Sequence, residues 1–220
     1  MLKSVYDNGG FWMGRYEAGL EAGKDSRKSY VAITESDRAV IKPNMYPYNY
    51  VKRDDAQTLA KRMNYESCTS SLVFGVQWNL TLKYIETKKE ATVLDINTKL
   101  TLDSTTIGNY NNNLWNITNA DAKYSIDSGK NFITCPYQKK SSEKVLLTTG
   151  ADESFSLMNI YDMSGNVHEW TLEFYNKSYP CVSRGGSYSG NGSGRTTKGH
   201  GYGGTGVADN NIGFRIGVWK

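Results

Sequence analysis

Thiols and imidazoles are the side chains in this sequence best suited to nucleophilic or metal chemistry, and both are scarce. The chain has three cysteines, Cys68, Cys135 and Cys181, and two histidines, His168 and His200. A structural zinc site takes four such ligands, commonly in closely spaced pairs, and no Cys-x-x-Cys pair occurs. An odd number of widely separated cysteines also argues against a scaffold built on disulfides. The sequence leaves room for one bridge and favours three buried thiols.

A cluster of glycines is the second feature that could do chemistry. Of the 22 glycines, eleven lie between Arg184 and Arg215. Glycine-rich loops can cradle phosphates, but residues 201–206 follow no hydrophobic strand and lack the Lys-Ser/Thr pair of a phosphate-binding loop. Residues 189–211 are instead rich in Gly, Ser, Asn, Asp, His and Tyr, a composition found in antibody-like paratopes. We interpret the segment as a binding loop, with a plain flexible loop as the alternative.

Composition limits the class of protein. The 220 residues contain no internal repeat or linker, so we expect a single domain over residues 1–220. The net charge of +4 is spread without a basic run longer than two residues, which predicts no nucleic-acid binding. No apolar stretch approaches the ~20 residues that cross a bilayer, which predicts no membrane insertion by this segment. We expect no signal peptide, and we expect the chain to be the C-terminal part of a longer protein.

Hydrophobic spacing predicts two helices among short strands. Residues 53–64 carry apolar side chains at a helical period, and Asp54 and Asp55 suit the N-terminus of a helix. A second apolar stripe predicts a helix over about residues 71–87. Residues 92–144 have the composition of loops. Short strands are predicted at residues 11–18, 30–33, 160–163, 167–170, 183–188 and 212–219.

Residues 159–170 read Asn-Ile-Tyr-Asp-Met-Ser-Gly-Asn-Val-His-Glu-Trp, and residues 184–188 read Arg-Gly-Gly-Ser-Tyr. Together these motifs resemble the formylglycine-generating-enzyme-like family, also called the sulfatase-modifying-factor family. The closing Ile-Gly-Phe-Arg at 212–215, the opening residues 11–18 and Gln77-Trp78 extend the likeness over nearly the whole chain. The resemblance implies a C-type-lectin-like α+β fold with two helices, short antiparallel strands and much irregular loop.

The same resemblance implies that the chain is not an enzyme. Formylglycine-generating members use two cysteines just after the Arg-Gly-Gly strand, and this chain has Gly190 and Arg195 there. Neither residue can supply a nucleophilic thiolate or a soft copper ligand. Iron-dependent relatives need a His-rich site, for which two histidines are too few. The alternative is a formylglycine-generating oxidoreductase that acts on a protein cysteine.

The segment that replaces the catalytic cysteines resembles the variable region of diversity-generating retroelement proteins. This likeness implies a display domain on a phage tail or a bacterial surface, with a protein or a glycan as the partner. Residues 184–215 would be the variable binding region, with Gly192-Ser193 and residues 212–215 as framework. The positions expected to vary and to face the ligand are Ser189, Gly190, Asn191, Gly194, Arg195, Gly199, Gly201, Tyr202, Gly203, Gly204, Asp209 and Asn210.

Calcium is the one cofactor that the sequence suggests. In the enzyme relatives the positions of Asp162, Gly165, Val167 and Glu169 bind this ion, and carboxylate and carbonyl oxygens are its usual ligands. The alternative is that the polar groups of this turn only satisfy the backbone. We expect Arg215 to pair with a buried acid and Tyr202 to be exposed.

Overall fold

A computed structural model describes residues 1–64, 67–88 and 95–220. The α-helices are α1 (Leu2–Asn8), α2 (Arg53–Lys61), α3 (Gly75–Lys88) and α4 (Ile96–Thr101). The strands are β1 (Trp12–Met13), β2 (Gly19–Leu20), β3 (Ala39–Val40), β4 (Thr69–Leu72), β5 (Trp115–Ile117), β6 (Lys123–Ser125), β7 (Ile133–Thr134), β8 (Tyr137–Lys139), β9 (Leu146–Leu147), β10 (Ser156–Leu157), β11 (Ile160–Tyr161), β12 (His168–Thr171), β13 (Cys181–Arg184), β14 (His200–Gly203), β15 (Ile212–Phe214) and β16 (Ile216–Trp219).

The fold class is confirmed as α+β with short strands, most of them paired antiparallel. The two predicted helices correspond to α2 and α3. Helix α2 buries Ala56, Leu59 and Ala60, and α3 buries the stripe that includes Trp78. Helix α3 begins at Gly75 rather than near residue 71, because Thr69–Leu72 pairs with β16. The two further helices, α1 and α4, were not predicted, since seven and six residues carry too little periodicity.

Several strand predictions differ from the structure in extent. Only Trp12–Met13 of residues 11–18 forms a strand, and residues 30–33 form none. Residues 212–219 divide into β15 and β16 on either side of Arg215. Residues 95–144 are less irregular than expected because they contain α4 and four short strands, while residues 92–94 lie outside the described part.

A four-stranded sheet in the order β14-β13-β12-β15 positions the glycine-rich segment. Strand β12 lies antiparallel to β13 and parallel to β15, and β14 lies antiparallel to β13 at the edge. The side chains of Trp170 and Phe214 are buried against α2 residues in the main core cluster. The segment between β13 and β15 therefore starts and ends on strands that are fixed by the core.

Two observations complete the fold. All three cysteines are free; Cys135 and Cys181 are buried, and Cys68 is half-buried. Buried thiols are thus confirmed at two of the three positions.

Within the described ranges, no helix has the length and apolarity that a membrane span requires.

Candidate functional site

The glycine-rich segment leaves β13 through a tight turn. Gly185 and Gly186 have φ values of 88° and 77°, in the left-handed region that favours glycine. A Cβ atom at Gly186 would lie 2.3 Å from the Arg195 carbonyl oxygen, so a side chain there would displace the loop. The Tyr110 hydroxyl donates a hydrogen bond of 2.9 Å to the Gly185 carbonyl. These contacts end the strand at Arg184 rather than at residue 188.

Buried polar contacts hold the middle of the segment. The Thr197 backbone N–H donates to the Ser104 hydroxyl at 2.8 Å, and the Trp78 indole donates to the Thr197 carbonyl at 3.0 Å. A Cβ atom at Gly192 would lie 2.3 Å from the Thr105 backbone nitrogen. Gly192 is accordingly buried without room for a side chain, whereas its neighbour Ser193 is exposed, and the framework role of both residues stays a prediction.

Between these anchors the structure places most of the predicted ligand-facing positions at the surface. We call the exposed ones, together with their half-buried neighbours, the variable face. The exposed members are Asn191, Gly194, Arg195, Tyr202 and Asp209, and the half-buried members are Ser189, Gly190, Gly199, Gly204 and Asn210.

Strand β14 shows where the prediction was wrong. Gly203 is buried, and a Cβ atom there would lie 3.1 Å from the Trp170 ring, so this position faces the core and not a ligand. A Cβ atom added at Gly201 would also point inward and would lie 2.5 Å from the Ser183 hydroxyl oxygen. The error came from treating residues 200–203 as a loop, because a strand directs alternate residues to opposite sides. The same alternation exposes His200 beside Tyr202, and His200 was missing from the expected set.

The two positions that match the catalytic cysteines of the enzymes lie side by side. A Cβ atom at Gly190 would be 3.5 Å from the Arg195 Cβ, a separation that a bonded cysteine pair would have. Neither residue carries a thiol, and Cys68, Cys135 and Cys181 belong to other parts of the fold.

An aromatic and charged group lies at one end of the variable face. The rings of Tyr202 and Tyr175 stack with centroids 4.0 Å apart, although the local sequence gave Tyr202 no apolar neighbour. Glu173 accepts hydrogen bonds from Arg184 at 2.7 and 2.9 Å and lies 3.4 Å from His200 Nε2. Burial lowers the pKa of His200 and the Arg184 charge adds to this, which favours the neutral imidazole at neutral pH.

The predicted calcium ligands belong to a buried carboxylate cluster. Arg215 pairs with Glu169 at 2.6 Å, and both side chains are almost fully buried, which confirms the predicted partner type for Arg215. Glu17 accepts hydrogen bonds from Asn166 Nδ2 and the Val167 backbone N–H. Asp162 Oδ2 accepts from the Gly150 N–H.

This cluster fits a calcium ion poorly. Both Glu169 oxygens are bonded to the Arg215 guanidinium, and Asp162 Oδ1 is the one carboxylate oxygen left without a described partner. No group of three or more His, Cys, Asp or Glu side chains within the described ranges is arranged to hold a metal. Burial raises the pKa of Asp162 to about 7 and, with repulsion from Asp162 and Glu169, raises that of Glu17. Calcium binding through Asp162, Gly165, Val167 and Glu169 stays a prediction.

Comparisons with known proteins bear on the fold and the family of the chain. The crystal structure of CarF matches with a TM-score of 0.52 at 14% identity, over 96% of this chain and 86% of that one, which shows a shared fold. Treponema denticola variable protein 1 matches with a TM-score of 0.49 at 11% identity, over 96% of this chain and 84% of that one. No curated protein matches the sequence significantly. The model of the sulfatase-modifying factor enzyme 1-like domain matches residues 29–218, and the chain belongs to that family.

Proposed function

We propose that this protein is a non-catalytic ligand-binding domain whose variable face contacts a protein or a glycan. One observation carries the proposal: within one segment, some residues are buried and fixed, and we call these the frame, while residues of the variable face next to them are exposed. Gly192 and Thr197 are buried and fixed by neighbouring loops, while Asn191, Gly194 and Arg195 between and beside them are exposed. Side chains on the face can change without disturbing the frame, which is the arrangement that binding loops need.

The positions of Gly190 and Arg195 support the absence of catalysis. A thiolate is needed for the copper-dependent chemistry of the enzymes, and the adjacent pair that would supply it holds no sulfur. Incubation of the protein with copper and a cysteine-containing sulfatase peptide tests this directly. We expect no aldehyde product by mass spectrometry, and aldehyde formation would establish the oxidoreductase alternative.

We further propose that residues 184–215 are diversified, and that the domain is displayed on a phage tail or a bacterial surface. The composition of the segment supports this, since Asn, Ser, Gly, Asp, Tyr and His dominate it. A reverse transcriptase gene and an imperfect repeat of the coding segment beside the gene are the expected finding. Flanking DNA with neither would contradict diversification but would leave ligand binding intact.

Binding itself is tested with two matched libraries of the full chain. One library randomises Asn191, Gly194, Arg195, Tyr202 and Asp209, and the control library randomises five exposed residues of α1. Both are selected against the same panel of purified proteins and immobilised glycans. We expect specific binders from the face library only, with unchanged melting temperature. Equal yields from both libraries, or none from the face, would contradict the proposal.

A further inference from the structure

Strand β14 is an open edge of the four-stranded sheet. It pairs with β13 through four consecutive residue pairs, from Gly203 opposite Cys181 to His200 opposite Arg184. Every second residue of an edge strand directs its N–H and C=O away from its partner. Among the described residues, no backbone group of β14 has a hydrogen-bond partner outside β13. His200 and Tyr202 are exposed and Gly201 is half-buried, whereas Gly203 is buried, so the part of this edge open to another strand is residues 200–202.

The sequence of β14 does not protect this edge. Folded proteins usually block exposed edges with lysine, proline, inward charges or a bulge. Strand β14 reads His-Gly-Tyr-Gly and runs beside β13 in continuous register, so it lacks these four devices, and its one protection is its short length of four residues. Gly201 and Gly203 point inward and add no side chain that would hinder an approaching backbone.

An exposed aromatic group, which we call the aromatic corner, flanks the same edge. It consists of Phe174, Tyr175 and Tyr179 from the β12–β13 connection and Tyr202 from β14. Their exposed fractions are 66%, 54%, 52% and 49%, so about half or more of each ring side chain faces solvent. Because Tyr175 rests on Tyr202, both rings are ordered in advance and lose little rotamer entropy on binding.

One ion pair beside the aromatic corner is internally balanced. The buried Arg184 guanidinium forms two hydrogen bonds with Glu173, which neutralises the carboxylate that lies 3.4 Å from His200 Nε2. The rings of the corner favour apolar or aromatic side chains in the partner.

We propose that β14 accepts an extended peptide segment of a partner protein as an added strand, with uncharged side chains of that segment lying on the aromatic corner. Main-chain hydrogen bonds to β14 would provide affinity, and alternate side chains on Tyr175 and Tyr202 would provide specificity. This inference rests on the proposed binding function and names the class of partner. It adds Phe174, Tyr175 and Tyr179, which lie outside residues 184–215, to the contact surface.

The test uses random peptides of about ten residues, the upper end of usual strand lengths, so that a pairing segment has flanking residues on both sides. Peptides are selected on the full chain and counter-selected on the Tyr202→Lys variant. Binding of each selected peptide is then measured with single N-methyl groups placed along its backbone. We expect losses of about tenfold or more at every second residue and little change at the residues between. Tyr175→Lys should weaken binding similarly, and Tyr6→Lys, a control at an exposed tyrosine of α1, should not.

Each outcome decides between strand pairing and its alternatives. Peptides that depend on Arg195 and Asp209 but tolerate N-methylation throughout would overturn strand pairing and leave the binding function standing. Selection that yields no Tyr202-dependent peptide would also overturn it. Sedimentation of the free chain is the last measurement. If the chain forms a dimer that is lost in the Tyr202→Lys variant, the strand that pairs with β14 comes from a second copy of this chain and not from a partner protein.

Discussion

Replacement of Gly192 by alanine should destabilise the domain, whereas the same change at Gly194 should not. Both residues lie in the same loop of the glycine-rich segment, two positions apart. A Cβ atom at Gly192 would lie 2.3 Å from the Thr105 backbone nitrogen and 2.5 Å from its Cα. At Gly194 the nearest atom would be the Asn191 carbonyl oxygen at 3.8 Å, an ordinary van der Waals distance.

The size of the effect follows from what must move. Backbone atoms cannot rotate away as a flexible side chain could, so the loop at Gly192 must shift relative to Thr105. Overpacking of this kind costs about 1–3 kcal/mol. The shift would also strain the hydrogen bond of 3.1 Å from the Ser104 N–H to the Gly192 carbonyl. At ~2–4 °C per kcal/mol for a chain of this size, we expect the melting temperature to fall by about 2–12 °C.

Thermal unfolding followed by circular dichroism measures both variants beside the parent protein. The Gly194→Ala melting temperature should stay within about 2 °C of the parent, as for most surface substitutions. Equal losses in the two variants, or a Gly192→Ala protein as stable as the parent, would refute the division of this loop into frame and face.

Three further predictions concern the carboxylate cluster and the adjacent positions 190 and 195. Glu169→Gln should cost about 3–5 kcal/mol in urea unfolding because it leaves the buried Arg215 charge without its partner; a loss below about 1 kcal/mol would argue against the ion pair. The folded-state pKa of Asp162 lies near 7 and above its unfolded value near 4, so its contribution to stability is complete below pH 4 and lost as the pH rises to 7. Asp162→Asn should therefore flatten the decline of melting temperature over that window, and an unchanged profile would count against the raised pKa. The double variant Gly190→Cys/Arg195→Cys should form a disulfide under mild oxidation, since the two Cβ positions are 3.5 Å apart; two free thiols by mass spectrometry would show that the positions are not adjacent.

Local patterns in the sequence predicted the elements that depend only on residues close together in the chain. Helices α2 and α3 follow from apolar periodicity, and the paired Gly185-Gly186 marks a turn that only glycine adopts easily. The motif at residues 159–170 predicted the family, which the domain match confirms.

The remaining features depend on packing between distant parts of the chain. Strand β14 contains two glycines in four residues and has low intrinsic strand propensity, so only its pairing with β13 makes it a strand. The inward direction of Gly203 follows from that pairing and could not be read from composition. The stack of Tyr175 on Tyr202 joins residues 27 positions apart through the sheet register, beyond the reach of a local pattern.

The most direct test of the account exchanges side chains between two library variants selected for different ligands. Only residues 191, 194, 195, 202 and 209 are exchanged, and the affinity of each product for both ligands is measured by interferometry. The account predicts that specificity follows the exchanged side chains while the melting temperature stays within about 2 °C of its starting value. Specificity that stays with the recipient chain would contradict a ligand-binding face supported by an independent frame.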